Sequence, residues 1–444
     1  MSSDLESPTP IKNSAIETFG LEPVPVELRK TSWKEYFIIQ AAFSVNSGNF
    51  LVPALAVLEG GLSFFAAIIS TVIGAAIAFL FVSILSLPGA NNGIPSQYAV
   101  RSMLGLYPAR YFASPVRTIT SLYWFAVQTI GGTYVLIGIL ESHFEIRLPF
   151  LPVSIMFAII MSILALIGFN AVKKATKLFL PFLLLGQLTI LYLYLSSNKH
   201  SLTQINEQGS WNTGTMCFFA SLAFVQYISG VSSSSDMTRY ASSSTHAFWG
   251  LYSGNLIGFM MTSILGAFAA TYSNEWNPFI TSTQLTNSTP VVILILTCAL
   301  VSMLSINLSN AYTGGYSLLN IFPKLGRVRS AISFGGTAIL LSAFPAFVEE
   351  AKQFISLLGA FIIPLSAVLV IDFILIKKRQ LTSEDLGGLL NHSYLYNKRA
   401  MICIVIGVLL YLIIPEQQSP GFLAFIITGC CYLGISIHPL KHHS

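Results

Sequence analysis

The run FIIQAAFSVNSGNFLVPALAV, residues 37–57, is long and apolar enough to cross a bilayer, yet its centre is polar. Ser44-Val45-Asn46-Ser47-Gly48-Asn49 places hydroxyls, amides and a glycine where hydrocarbon should lie. Such side chains compete with the backbone ladder for hydrogen bonds. An unwound stretch survives in a membrane only when protein buries it or when it lines a cavity. A second run repeats the pattern: FFASLAFVQYISGVSSSSDMTRYA, residues 218–241, with Gln226-Tyr227-Ile228-Ser229-Gly230 and then Ser232 to Ser235. These two interruptions decide the fold.

The rest of the chain fixes their setting. Only 9% of the 444 residues are charged, 54% are apolar and the mean hydropathy is +0.70. A soluble chain carries about 25% charge. Apolar stretches recur to the C-terminus and predict twelve spans, near 35–57, 62–87, 117–140, 150–169, 176–195, 212–234, 248–271, 291–318, 331–348, 354–376, 400–414 and 420–438. Residues 1–33 lack the apolar core of a signal peptide and read as a cytosolic tail. With the N-terminus inside, twenty lysines and arginines fall on the inner side. Only Arg147, Lys199 and Lys352 fall outside. The positive-inside rule then predicts both termini in the cytosol and a multi-pass protein of the plasma (inner) membrane.

Span 1 runs inward to outward and span 6 outward to inward. Paired broken helices of opposite direction point to an inverted-repeat transporter. The expected fold is therefore an all-α membrane protein with twelve transmembrane helices in a five-plus-five inverted repeat. Repeat one covers 34–195 and repeat two 211–377. Accessory helices 11 and 12 cover 400–438, and 439–444 form a short cytosolic tail. Pro181 in span 5 and Pro364 in span 10 echo the symmetry. Loops 88–116 and 377–399 are expected on the cytosolic side.

Polar groups gather at one depth. Trp124 and Gln128 in span 3 are four apart, hence on one helix face roughly 6 Å from each other. Ser44 and Asn46 sit in the break of span 1, Tyr227 in that of span 6, and Ser305, Asn307 and Asn310 at the centre of span 8. Each is costly in lipid and should face the bundle interior. An aromatic face stacks on a flat ring, and carboxamides offer donors and acceptors at its edge. No charged side chain is central in any span, so the expected ligand is neutral, flat and polar-edged. A nucleobase fits better than an amino acid or a sugar acid. Gly131, Gly132, Gly314 and Gly315 are expected to permit close helix packing. The five cysteines read as small buried hydrophobes, and the histidines form no metal cluster. The charge of +5 reflects topology rather than nucleic-acid binding.

Several ordered motifs resemble the nucleobase–cation symporter family, which includes cytosine permeases and the hydantoin transporter. NNGIPSQYAVRSMLG (91–105) is similar to its loop after span 2, WFAVQTIGG to its span-3 W-x-x-x-Q, and SSDMTRYA (234–241) to its D-x-x-R-Y. SINLSNAY (305–312) resembles its asparagine-rich span 8, and IDFILIKKR (371–379) its exit from span 10. The likeness extends in order over about residues 35–438. It implies the leucine-transporter fold and a symporter coupled to Na+ or H+, with no other cofactor. It also implies Trp124 stacking on the substrate, Gln128 and Asn310 (or Asn307) at its edge, and Tyr227 where hydantoin-type members carry a tryptophan. A sodium site is implied at helix-1 carbonyls near Phe43 and Asn46 with adjacent span-8 hydroxyls. Here that pair is Ser305-Ile306, and isoleucine cannot coordinate a hard cation. Ser302 and Ser309 lie nearby, and the coupling ion stays open. Asp236 and Arg239 read as a gate or structural pair.

The function expected is import of a nucleobase-type heteroaromatic, cytosine or a purine favoured, by alternating access of a monomer. Spans 1, 2, 6 and 7 would move against 3, 4, 8 and 9. Rival readings are a vitamin-precursor transporter for pyridoxine or thiamine, a membrane-embedded enzyme, and a channel.

Overall fold

A computed structural model describes residues 19–166, 168–197 and 209–437. Lys199, His200, His438, most of the N-terminal tail and the 439–444 tail lie outside the described residues. Among the described residues, each of the twelve apolar stretches contains a helix. Eight helices among the described residues are long and apolar enough to cross a membrane, nine with the bent span 1 counted whole. Phe150–Ala165, Gly326–Leu341 and Lys398–Ile413 have 16 residues each, short of the roughly 20 that a full crossing takes.

Span 1 is two helices, Trp33–Ser44 and Gly48–Leu58, bent by 53°. Its start is fixed by a capping box, in which Ser32 accepts from the Glu35 N–H and the Glu35 carboxylate from the Ser32 N–H. Span 6 is helical over Thr213–Ile228, tightens to a 3-10 turn over Ser229–Ser232, and resumes as Ser235–Thr238. Both expected interruptions are therefore breaks in the backbone ladder. Spans 3 (Ser114–Phe144) and 8 (Thr289–Ile321) run unbroken beside them.

Small residues set how close these rods come. Span 7 (Ser244–Ser273) carries Gly250, Gly254, Gly258 and Gly266 on the line that meets span 1. A Cβ at Gly254 would lie 2.7 Å from the Phe37 carbonyl oxygen, and one at Gly258 would lie 3.0 Å from that of Ala41. Gly74 in span 2 (Phe64–Ile84) abuts the Ala220 carbonyl of span 6. In lipid, such close backbone approach supplies the packing energy that hydrophobic burial supplies in water. Gly132 makes the same room for Met303, and Gly314 for Phe334.

Two stretches read as loops hold structure. Residues 87–113 form helices Leu87–Asn92 and Ser96–Leu104, then a π-turn at Ala109–Ala113 leading into span 3. Residues 377–399 contain a capped helix, Ser383–Asn391. Their apolar content is too low for a span, so the hydropathy pattern passed over them. The N-terminal strap, residues 19–32, lies across the same end of the bundle. Val24 is fully buried, its N–H bonds the Gly93 carbonyl at 2.9 Å, and Arg29 caps the carbonyls of Asn91 and Asn92. The Phe19 and Gly20 carbonyls accept from Arg239, and Phe19 also from the Tyr316 hydroxyl at 2.7 Å.

Candidate functional site

A cavity of about 160 Å³ opens where the two breaks meet. It is lined from spans 1, 2, 3, 6, 7 and 8. Six of the seven expected substrate contacts reach it: Ser44, Asn46, Trp124, Gln128, Tyr227 and Asn310. Trp124 is half-buried and stands edge-on to Tyr123 with ring centroids 5.2 Å apart. Tyr227 is wedged between Phe79 and Phe259, with centroids at 4.7 and 5.0 Å, and its hydroxyl has no partner.

The break in span 1 is held by amides. The Asn46 Nδ2 donates to the Phe43 carbonyl at 2.6 Å, and the Asn49 Nδ2 to the Ser44 carbonyl at 2.7 Å. Gln128 donates to the Asn46 Oδ1 at 2.7 Å and accepts from the Ser47 hydroxyl at 3.0 Å. Its Oε1 also accepts from the Gly48 N–H at 3.4 Å. Gln226 of span 6 reaches Asn49 at 3.2 Å and leaves its own Oε1 unpartnered. Backbone polar groups freed by the break are thereby satisfied inside the protein, as a membrane interior requires.

Asn307 does not line the cavity. Its Nδ2 faces the Phe125 carbonyl and the Thr129 hydroxyl at 3.1 Å, and its Oδ1 accepts from Asn310 at 3.0 Å. It thus orients Asn310, which does line the cavity. Ser302 donates to the Ala299 carbonyl of its own helix at 2.7 Å. The Ser305 hydroxyl is buried without a partner, and Ile306 faces the cavity. Ser44 donates to Asn255 of span 7 at 3.0 Å.

Asp236 lies at the N-terminal-strap end, fully buried. Its carboxylate accepts from the Ser96 N–H at 2.8 Å, and the Ser96 hydroxyl accepts from the Asp236 N–H at 3.1 Å. Below it runs a buried chain of bonds. Gln97 donates to the Ser232 carbonyl, Ser114 donates to Gln97, Asn320 donates to Ser114, and Arg101 donates to Asn320. Broken span 6 is thereby tied to the starts and ends of spans 3 and 8.

Several lining residues escaped the sequence reading, a charged one among them. Arg117, at the strap end of span 3, forms the floor of the cavity. Its signal was spacing: Arg117, Trp124 and Gln128 are i, i+7 and i+11, one face of one helix. The short amides of Asn49 and Gln226 were also passed over, although each sits within a quoted break.

Two helices that come undone at mid-depth, an unbroken pair beside them and a shared polar cavity define a membrane transporter rather than an enzyme or a soluble binding protein. The sequence pattern of the permease family for cytosine/purines, uracil, thiamine and allantoin matches residues 23–434. This chain belongs to that family. It is 24% identical over 336 residues to the hydantoin permease of Microbacterium maritypicum, covering 72% of this chain and 68% of that one. It is 22% identical over 393 residues to the allantoin permease of Bacillus subtilis, covering 79% of each. In three dimensions it resembles Mhp1, a nucleobase-cation-symport-1 family transporter, in a closed conformation with bromovinylhydantoin bound. The TM-score is 0.80 at 17% identity, over 97% of this chain and 98% of that one. The expected all-helical, leucine-transporter-like fold is confirmed, and the chain is a permease of this class.

Proposed function

We propose that this permease imports a flat, polar-edged heteroaromatic of the nucleobase type across the plasma membrane, as a monomer with both termini in the cytosol. The carrying observation is the cavity at the two breaks, with the Trp124 ring on one wall and the Asn310 and Gln226 amides near it. The ring stacks on Trp124, and Tyr227 closes from span 6. Asn310 and the free Gln226 Oε1 meet its edge, with Gln128 and Asn46 holding the break in shape. Related proteins named for hydantoin and allantoin support this substrate class, since both are small ring amides. Twelve crossings divide as repeats 34–195 and 211–377 with accessory helices 400–438. Alternating access moves spans 1, 2, 6 and 7 against 3, 4, 8 and 9.

On the coupling ion, the donor set argues against sodium. The Phe43 carbonyl already accepts from Asn46, Ser302 bonds its own helix, and Ile306 stands beside Ser305 where a second hydroxyl would be needed. Sodium, a hard cation, takes oxygen ligands. The reading is therefore of import without a sodium requirement. A thermal-shift screen of the purified protein against cytosine, uracil, hypoxanthine, allantoin, hydantoin, pyridoxine and thiamine tests the substrate class. Stabilisation by the ring amides supports it. A response confined to pyridoxine or thiamine, or none at all, refutes it.

A further inference from the structure

The floor of the cavity differs in kind from its walls. Asn310, Gln226, Tyr227 and the serines can each accept a hydrogen bond. Arg117 can only donate, through five N–H groups in a fixed fork. Two of those groups are engaged: Nη2 donates to the Thr313 hydroxyl at 3.0 Å, and Nη1 reaches the Ser229 carbonyl at a long 3.5 Å. Nε is buried without a partner, and Arg117 as a whole is 8% exposed. Ser234, which lines the same cavity, also has a buried and unpartnered hydroxyl. A buried cation with spare donors is costly unless an acceptor meets it.

We infer that Arg117 is a specificity-determining residue, selecting rings that turn a carbonyl or enolate oxygen toward the floor over rings that turn an amino group there. The geometry fits one ligand reaching both ends. Arg117 lies two helical turns from Trp124 on the same face, about 10.5 Å of axial rise, and the two share one cavity. A ring stacked on Trp124 and a long arginine side chain meet across that span. An exocyclic oxygen accepts from the guanidinium fork that lines the cavity, while an exocyclic amine presents hydrogens to a donor and leaves both unpaired. A site built to bond one group rejects the analogue lacking it far more strongly than a pocket rejects a change in size.

The inference rests on the substrate class proposed above, and its test separates the two. Binding to the full-length protein is measured for two pairs differing by oxygen against amine: uracil with cytosine, and hypoxanthine with adenine. Wild type should bind the oxo member at least tenfold more tightly in each pair. Arg117→Gln, whose amide both donates and accepts, should bring each ratio within threefold, chiefly by weakening the oxo member. Arg117→Lys should keep the preference in part. Wild-type ratios within threefold overturn the inference and leave the substrate class standing. So does an Arg117→Gln variant that weakens both members equally, the mark of a strut between spans 3, 6 and 8. Should Arg117→Gln not fold, the wild-type ratios and Arg117→Lys decide. No binding of any of the four would sink the substrate class itself.

Discussion

Gln128, in the middle of an unbroken helix, donates to the Asn46 Oδ1 at 2.7 Å and so grips the point where span 1 comes undone. The same amide accepts from Ser47 and from the Gly48 N–H. One side chain thus fixes three consecutive residues of the break. Gln128→Ala should weaken ligand binding at least tenfold, since lost bonds to buried partners cost about 1–3 kcal/mol each. The helical content should stay unchanged by circular dichroism. Ligand titration of the purified variant checks this, and wild-type affinity would show that the site is misplaced.

The glycine line of span 7 should be intolerant where span 1 presses on it. Gly254→Ala forces a Cβ against the Phe37 carbonyl and should lower the thermal midpoint by several degrees. Gly336→Ala, in an exposed helical position with nothing within 4 Å, should be neutral or raise it slightly, by about 0.5–1 kcal/mol of helix propensity. A parallel melt of the two variants reads the contrast.

The N-terminal strap bridges Asn91–Asn92 after span 2, Arg239 after span 6 and Tyr316 of span 8. A cysteine at the buried position Val24 should react slowly with a membrane-impermeant maleimide. Adding Arg29→Ala should speed that reaction severalfold, because the strap loses its bonds to two backbone carbonyls. Equal rates in both backgrounds would mean that Arg29 does not hold it.

Replacing sodium by choline should change ligand affinity by less than twofold. A steep, saturable sodium requirement would show that Ser305, with Ser302 or Ser309, completes a site despite Ile306.

What the sequence made legible follows from what lipid forbids. Polar residues at Ser44–Asn49 and Gln226–Gly230 are so costly in hydrocarbon that they mark interruptions: the ladder of span 1 opens between Ser44 and Gly48, and that of span 6 from Ser229, just past Gln226. Trp124 and Gln128 were legible because helical spacing alone puts them on one face. Arg117 was missed because it was judged by its distance from the span centre, whereas a side chain that long carries its charge well away from its own Cα. Asn307 was equally visible as Asn310, but which of two neighbouring amides faces the cavity depends on Phe125 and Thr129 of another helix. Helices Ser96–Leu104 and Ser383–Asn391 escaped because packing against the bundle end, not hydropathy, makes them helical.

Trp124 provides the most direct test of the central claim, that the two breaks frame a pocket for an aromatic ring. A stacked ligand should quench its emission. Fluorescence titration of wild type and Trp124→Phe with uracil or hypoxanthine should give a saturable quench in the first. The second should lose most of that quench yet keep measurable thermal stabilisation by the same ligand. A quench of equal size in both proteins, arising at Trp33, Trp211, Trp249 or Trp276, would contradict the account.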